Sequence, residues 1–175
     1  MRNTVEYFLG LLLLIVCPMF ALGQARSRGK ADNLKTLINQ YSAKTVSDLN
    51  KDNGEEYKEY ERRIFYSDVD HDGDLDAVVE LAFCKAQDCH PITQSSNMAV
   101  FLNNHGSYRF VAGKTFIKFN EDNSIEAIGK IRSIKNGQIR VDIYGCEVDD
   151  PVCLPKFLYR EAYFLKRNRL VRVRS

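Results

Sequence analysis

Between Arg63 and Ser175 the chain is cut into short apolar runs by turn signals, and this rhythm restricts the fold more than any other feature. "AVVELAF" (Ala77–Phe83) is a continuous strand-like run. "NMAVFLN" alternates, with Met98, Val100 and Leu102 on one side. "NGQIRVDIYG" sends Ile139, Val141 and Ile143 one way, Arg140 and Asp142 the other. A period of two is the pattern of a strand. "YRFV", "TFIKF", "IGKIRSI", "KFLYREAYFLK" and "LVRVR" are further short runs. The separators "NNHG", "EDNS" and "KNG" are turn formers, and Asn136-Gly137 is a strong hairpin signal.

Upstream, Ala31, Leu34, Leu37, Ile38 and Tyr41 recur at helical spacing, which predicts an amphipathic helix from Asp32 to about Ser42. The polar stretch "DLNKDNGEEYKEYERR" fits either a surface helix after Gly54 or an extended connector. The expected fold class is α+β: an N-terminal helix or helices, then a seven- or eight-stranded, mostly antiparallel β-meander. No fixed-period repeat is visible, so a multi-blade propeller is not expected. At 175 residues and 45% apolar, the chain is long enough for one domain with its own core. A net charge of +2 gives no global argument for a nucleic-acid partner, and none is expected.

The first residues read as a targeting segment. Arg2 lies in a short polar start, and the apolar run Phe8–Leu22 is short for a membrane span and contains Pro18. Ala21 and Gly23 are small residues ahead of a cut before Gln24; a cut after Ala25 also fits. This predicts a signal peptide over 1–23, a helical and polar segment over 24–62, and a β-rich domain over 63–175. The mature chain is then exported, periplasmic or extracellular, and meets a membrane only through its signal sequence. A retained anchor is the alternative. Val16 before Cys17 argues against lipidation.

Export changes how the cysteines read. Cys84, Cys89, Cys146 and Cys153 remain after the signal, an even count that suggests two disulfides. The spacings "CKAQDC" and "CEVDDPVC" favour local pairs, Cys84–Cys89 and Cys146–Cys153. A zinc site using these thiols with His90 competes, but neither spacing is that of common zinc knuckles.

The most unusual stretch is "YSDVDHDGDLDAVVEL", which holds Asp68, Asp70, Asp72, Asp74 and Asp76. In register from Asp68, carboxylates fall at positions 1, 3, 5 and 9, with Gly73 at position 6. Calcium takes six to eight oxygens in flexible geometry, and a glycine permits the bend that wraps a chain around it. Hard oxygen donors without thiol or imidazole point to one calcium ion rather than a softer metal. The loop leads into a strand and has Val79 at position 12, so it is not an EF-hand. A solvated acidic turn is the plain alternative. His71 in the loop is expected to face solvent, and His105 to occupy a hairpin turn.

"DVDHDGDLDAVV" followed by "MAVFLNNHGSYRF" resembles a single FG-GAP/VCBS-type calcium unit, the D-x-D-x-D-G-x-x-D loop of integrin α-chain propellers and of many secreted bacterial proteins. The resemblance implies metal ligation by Asp68, Asp70, Asp72 and Asp76, with the Asp74 carbonyl. Phe65–Arg174 is also similar to uncharacterised small exported bacterial proteins that share "DxDGDxDAVV", an "AVFLN" strand and a "DDPxCxP" segment, here "DDPVCLP".

These readings lead to an expected function: an exported, non-enzymatic calcium-binding domain that contacts a protein or surface glycan of the bacterial envelope. A metal-dependent hydrolase using the aspartates, and a metal-free structural envelope protein, are the alternatives. No catalytic constellation is visible; a D-x-D phosphatase motif would need the alternating strands and helices that are missing here. The basic C-terminal region offers Arg160, Arg172 and Arg174 as contacts for an anionic surface. The plain reading is a solvated outer sheet face, with the arginines outward and Val171 and Val173 on the other side.

Overall fold

The run Ala77–Phe83 is apolar except for Glu80 because the strand that contains it is covered on both faces. The computed structural model describes residues 33–52, 54–87, 89, 95–116, 128–145 and 155–173. Among these, a helix α1 over 33–52 precedes eight strands. They are β1 (Tyr57–Ser67), β2 (Asp76–Lys85), β3 (Ser95–Asn104) and β4 (Ser107–Thr115), then β5 (Ile128–Lys135), β6 (Gln138–Gly145), β7 (Lys156–Lys166) and β8 (Arg169–Val173). The first four form one antiparallel meander and the last four another. The expected strand number and antiparallel pairing are present; the division into two sheets is an addition.

The layers are helix, sheet, sheet. Ala77, Val79, Leu81 and Phe83 of β2, with Ala99 and Phe101 of β3, lie under Leu34 and Ile38 of α1. Their strand neighbours Val78, Met98, Val100 and Leu102 face the second sheet and pack on Ile131, Ile139, Val141, Ile143 and Tyr163. A strand between two apolar layers needs apolar residues at successive positions, whereas one with a wet face alternates. Burial of this double core is the main stabilising term, at about 25 cal/mol per Å² of apolar area.

The helix runs ten residues further than the spacing to Ser42 predicts. Val46 and Leu49 extend its apolar stripe against the sheet, while the rest of this polar segment faces solvent. The polar segment is neither a helix after Gly54 nor a plain connector: its first residues end α1 at 52, and its last residues form β1 from Tyr57, ahead of the expected domain boundary at 63. β1 is polar because it is a sheet edge, with Tyr57 its one fully buried apolar side chain.

Asn136 and Gly137 form the tight β5–β6 turn with φ of 50° and 69°, as Asn-Gly predicts. His105 and Gly106 do the same between β3 and β4, at 50° and 91°. Cys84 and Cys89 form a disulfide with an S–S length of 2.04 Å. Cys146, Cys153, His90, Arg174, the run Phe8–Leu22 and most of "TFIKF" lie outside the described residues. Among the described residues no helix is long and apolar enough to cross a membrane.

Candidate metal centre in the β1–β2 loop

The loop between β1 and β2 closes on itself through its own carboxylates. Asp68 Oδ1 accepts the Asp72 amide at 3.1 Å, and Oδ2 accepts the Gly73 amide at 3.1 Å. Asp72 Oδ1 accepts the Asp74 amide at 2.8 Å. Positive φ at His71 (67°) and Gly73 (92°) gives the reversal of direction that these bonds need.

Three further links fix the loop to the rest of the fold. Asp76 Oδ1 accepts the Asn103 amide at 2.8 Å, and Asp76 Oδ2 accepts the Val69 amide at 2.9 Å. Asp74 Oδ2 accepts the His105 amide at 2.7 Å and lies 3.1 Å from His105 Nδ1. The Leu75 carbonyl accepts from Asn103 Nδ2 at 3.1 Å and from the Tyr108 hydroxyl at 3.2 Å. Val69 inserts into the core between the sheets. His71 is exposed but rests on the β5–β6 turn: a Cβ on Gly137 would stand 2.7 Å from its Nε2. So His71 does not simply face solvent; its ring covers a glycine turn of the second sheet.

Within this frame Asp68, Asp70 and Asp76 converge, each offering an oxygen within 4.8 Å of the others. Oxygens about 2.4 Å from a shared calcium are at most about 4.8 Å apart, so the group has the size of one coordination sphere. Asp76 is wholly buried, Asp68 is half-buried and Asp70 is exposed. Burial raises the Asp76 carboxyl above the usual carboxylate range; the Asn103 and Val69 amides pull it down, and the charges of Asp70 and Asp72 push it up again. Desolvation, then the charge of Asp72, raises Asp70. Both directions express first the cost of taking a carboxylate out of water and then that of placing it near other anions, and a cation among them would offset both. Asp72 and Asp74 lie outside this group, and one oxygen of each accepts a backbone amide.

Of the arginines singled out in the sequence, Arg160 and Arg172 carry ion pairs. Arg160 Nε lies 2.6 Å from Asp142 Oδ1, with Arg132 NH1 3.3 Å from Asp142 Oδ2. Arg172 keeps an exposed side chain, 61% accessible. It stands opposite Tyr163, on the core-facing side with Leu170, and its NH1 lies 2.9 Å from buried Glu161. Val171 and Val173 are exposed on the other side. Glu161, also bonded by the Tyr163 hydroxyl, has the Arg172 cation as its partner.

Two residues with demanding environments escape the sequence reading. Glu80 interrupts an apolar run, and Asn97 shares a strand face with Ala99 and Phe101. A polar residue on an apolar face is the signal that marks both. Comparison of the chain with protein-family models, with curated proteins and with solved structures gives no match.

Proposed function

We propose that this is an exported calcium-binding module without enzymatic activity, whose loop from Asp68 to Asp76 holds one ion. The observation that carries the reading is the convergence of Asp68, Asp70 and Asp76 on one volume, with Asp76 wholly buried. These carboxylates supply three hard oxygen sites; main-chain oxygens and solvent complete a calcium sphere. The ion would tighten a loop that already bridges the β3–β4 turn and, through Val69 and His71, the second sheet.

The proposed role of the ordered loop is recognition of a protein or glycan in the bacterial envelope. Tyr66 ahead of the aspartates and Leu75 among them are exposed, 55% and 57% accessible, with Tyr108 bonded to the Leu75 carbonyl. Aromatic and apolar side chains on a fixed frame suit a partner protein or the face of a sugar. A hydrolytic role is less well supported, since the cleft between α1 and strands β3 and β4 has no loop residue in its lining among the described residues.

Thermal melting in calcium and in chelator tests the metal reading. The midpoint is expected to rise with calcium, by an amount that grows with the logarithm of its concentration above the dissociation constant. Asp70→Asn should remove most of that rise. Equal midpoints in calcium and chelator for the unmodified chain would overturn the reading.

A further inference from the structure

The outer face of the β7–β8 hairpin joins cations to open apolar surface. In register, Lys166 faces Arg169, Phe164 faces Val171 and Ala162 faces Val173. Strand alternation puts these side chains on one side, while Tyr163, Leu165 and Leu170 turn to the core. Val171 and Val173 are 44% and 36% exposed. An apolar strip thus lies uncovered beside a pair of cations at the end of the hairpin.

Other cations of this sheet have acidic partners. Arg160 and Arg132 share Asp142, and Arg172 meets Glu161. Lys166, Arg167 and Arg169 have no ion pair among the described residues. With Val171 they line a hollow of about 500 Å³ at the β7–β8 turn. Three like charges around one hollow repel, and an anion placed among them offsets that repulsion.

The turn supplies an independent sign. Arg167 and Asn168 have φ of 49° and 59°, the two left-handed positions of a tight hairpin turn. The first of these positions favours Asn, which is what the β5–β6 turn has in Asn136. Arg167 stands there at a conformational cost and presents an exposed cation at the tip.

We propose that this hairpin docks on a membrane surface rich in anionic phospholipid, with lipid phosphates at Lys166, Arg167 and Arg169 and with Val171 and Val173 against the headgroup–acyl boundary. Cations beside exposed apolar side chains on one face match a bilayer interface, where phosphate lies next to hydrocarbon. A soluble polyanion would satisfy the cations and leave the valines wet. The contact is made by the folded domain, in addition to any made by the signal sequence, and it does not require calcium. Helix α1 packs on the first sheet, across the layers from this face, and takes no part.

The test is co-sedimentation of the chain from Gln24 onward, in chelator, with vesicles of phosphatidylglycerol and phosphatidylcholine in equal parts and with vesicles of phosphatidylcholine alone. Binding to the anionic vesicles is expected, weakened by salt, with little to phosphatidylcholine. Arg167→Asn/Arg169→Gln should bind at least ~10-fold more weakly, since each cation near such a surface contributes about fivefold. Asn suits the turn, so this variant keeps its fold. Lys35→Gln/Lys51→Gln removes the same charge from exposed positions of α1 and should leave binding unchanged. Val171→Ser should weaken vesicle binding and leave binding to dextran sulfate, a soluble polyanion, as it was. No preference for anionic vesicles, an equal loss in the α1 variant, or undiminished vesicle binding in Val171→Ser would each overturn the proposal, the last by making a polyanion the partner.

Discussion

Glu80, in the middle of β2, accepts the backbone amide of Ile131 on β5 at 2.5 Å, across the interface between the two sheets. Arg63 NH1 lies 3.3 Å from its other oxygen. A second bond of the same kind runs from the Gly129 amide to Ser96 Oγ at 2.9 Å. β5 is an edge strand, and these side chains satisfy amides that a neighbouring strand would otherwise bond. Glu80→Ala should therefore cost more than a surface carboxylate does. One buried amide is left without an acceptor, for a loss of about 1–3 kcal/mol. Urea denaturation of both chains measures it, and a loss within error of zero would refute the edge-satisfying role.

The same residue makes a prediction in pH. Burial raises the Glu80 carboxyl above its usual range, and the Ile131 amide and Arg63 lower it by less. The folded state thus binds the proton more tightly than the unfolded state. Glu80's contribution is complete below the ordinary glutamate value of about 4.3 and is lost as pH rises through the higher folded value. Glu80→Gln has no such titration. The melting-temperature advantage of the unmodified chain over this variant should shrink from pH 4 to neutrality, and a constant gap would count against it.

Much of the fold is legible in the sequence because its strands announce their surroundings. Ile139, Val141 and Ile143 alternate and all face the core; Asn136-Gly137 turns the chain where expected. The continuous run Ala77–Phe83 marks a strand covered on both sides. What covers each side is not legible, because Ile131 meets Glu80 from 51 positions away and no local pattern encodes that distance. The end of α1 is hidden for a related reason: Val46 and Leu49 are too sparse a stripe to read amid charged neighbours. At the aspartate loop, spacing locates the cluster, but not which carboxylates turn inward. Asp68 and Asp76 accept backbone amides and still converge with Asp70, so amide bonding alone does not decide which carboxylates join the group.

Two glycines should respond differently to alanine. A Cβ on Gly129 would reach within 2.5 Å of the Phe116 ring, which is buried and packs against Tyr163 at 6.0 Å. That ring has little room to move, so Gly129→Ala should cost about 1–3 kcal/mol, as overpacking does. At Gly113 the obstacle is the hydroxyl end of Tyr41, at the open cleft. Gly113→Ala should cost less, with Tyr41 displaced. Paired denaturation curves decide the ranking, and the reverse order would show that Phe116 is the more mobile ring.

Cys84 and Cys89 close a short loop beyond the end of β2. Chain-entropy estimates for a loop this short give about 2 kcal/mol. Cys89→Ser, at the exposed end of the bridge, should lower stability by roughly that amount and leave the sheets intact. Denaturation with and without reductant checks it: the unmodified chain should lose more stability on reduction than the variant does.

Asp76 and Asp70 belong to one cluster and should behave in opposite ways without metal. Asp76 is wholly buried and accepts the amides of Val69 and Asn103, so it ties the loop to β3. Asp76→Ala leaves two donors unpaired, at about 1–3 kcal/mol each, and should destabilise the chain in chelator as well as in calcium. Asp70 is exposed, and its charge is among those that burden the Asp76 carboxyl. Asp70→Asn should leave stability in chelator unchanged or slightly higher, while reducing the gain from calcium. Melting curves of the two variants, each in both conditions, separate a frame residue from a ligand. If Asp70→Asn instead lost stability in chelator and kept the full calcium response, Asp70 would be part of the frame and the ion would lie elsewhere.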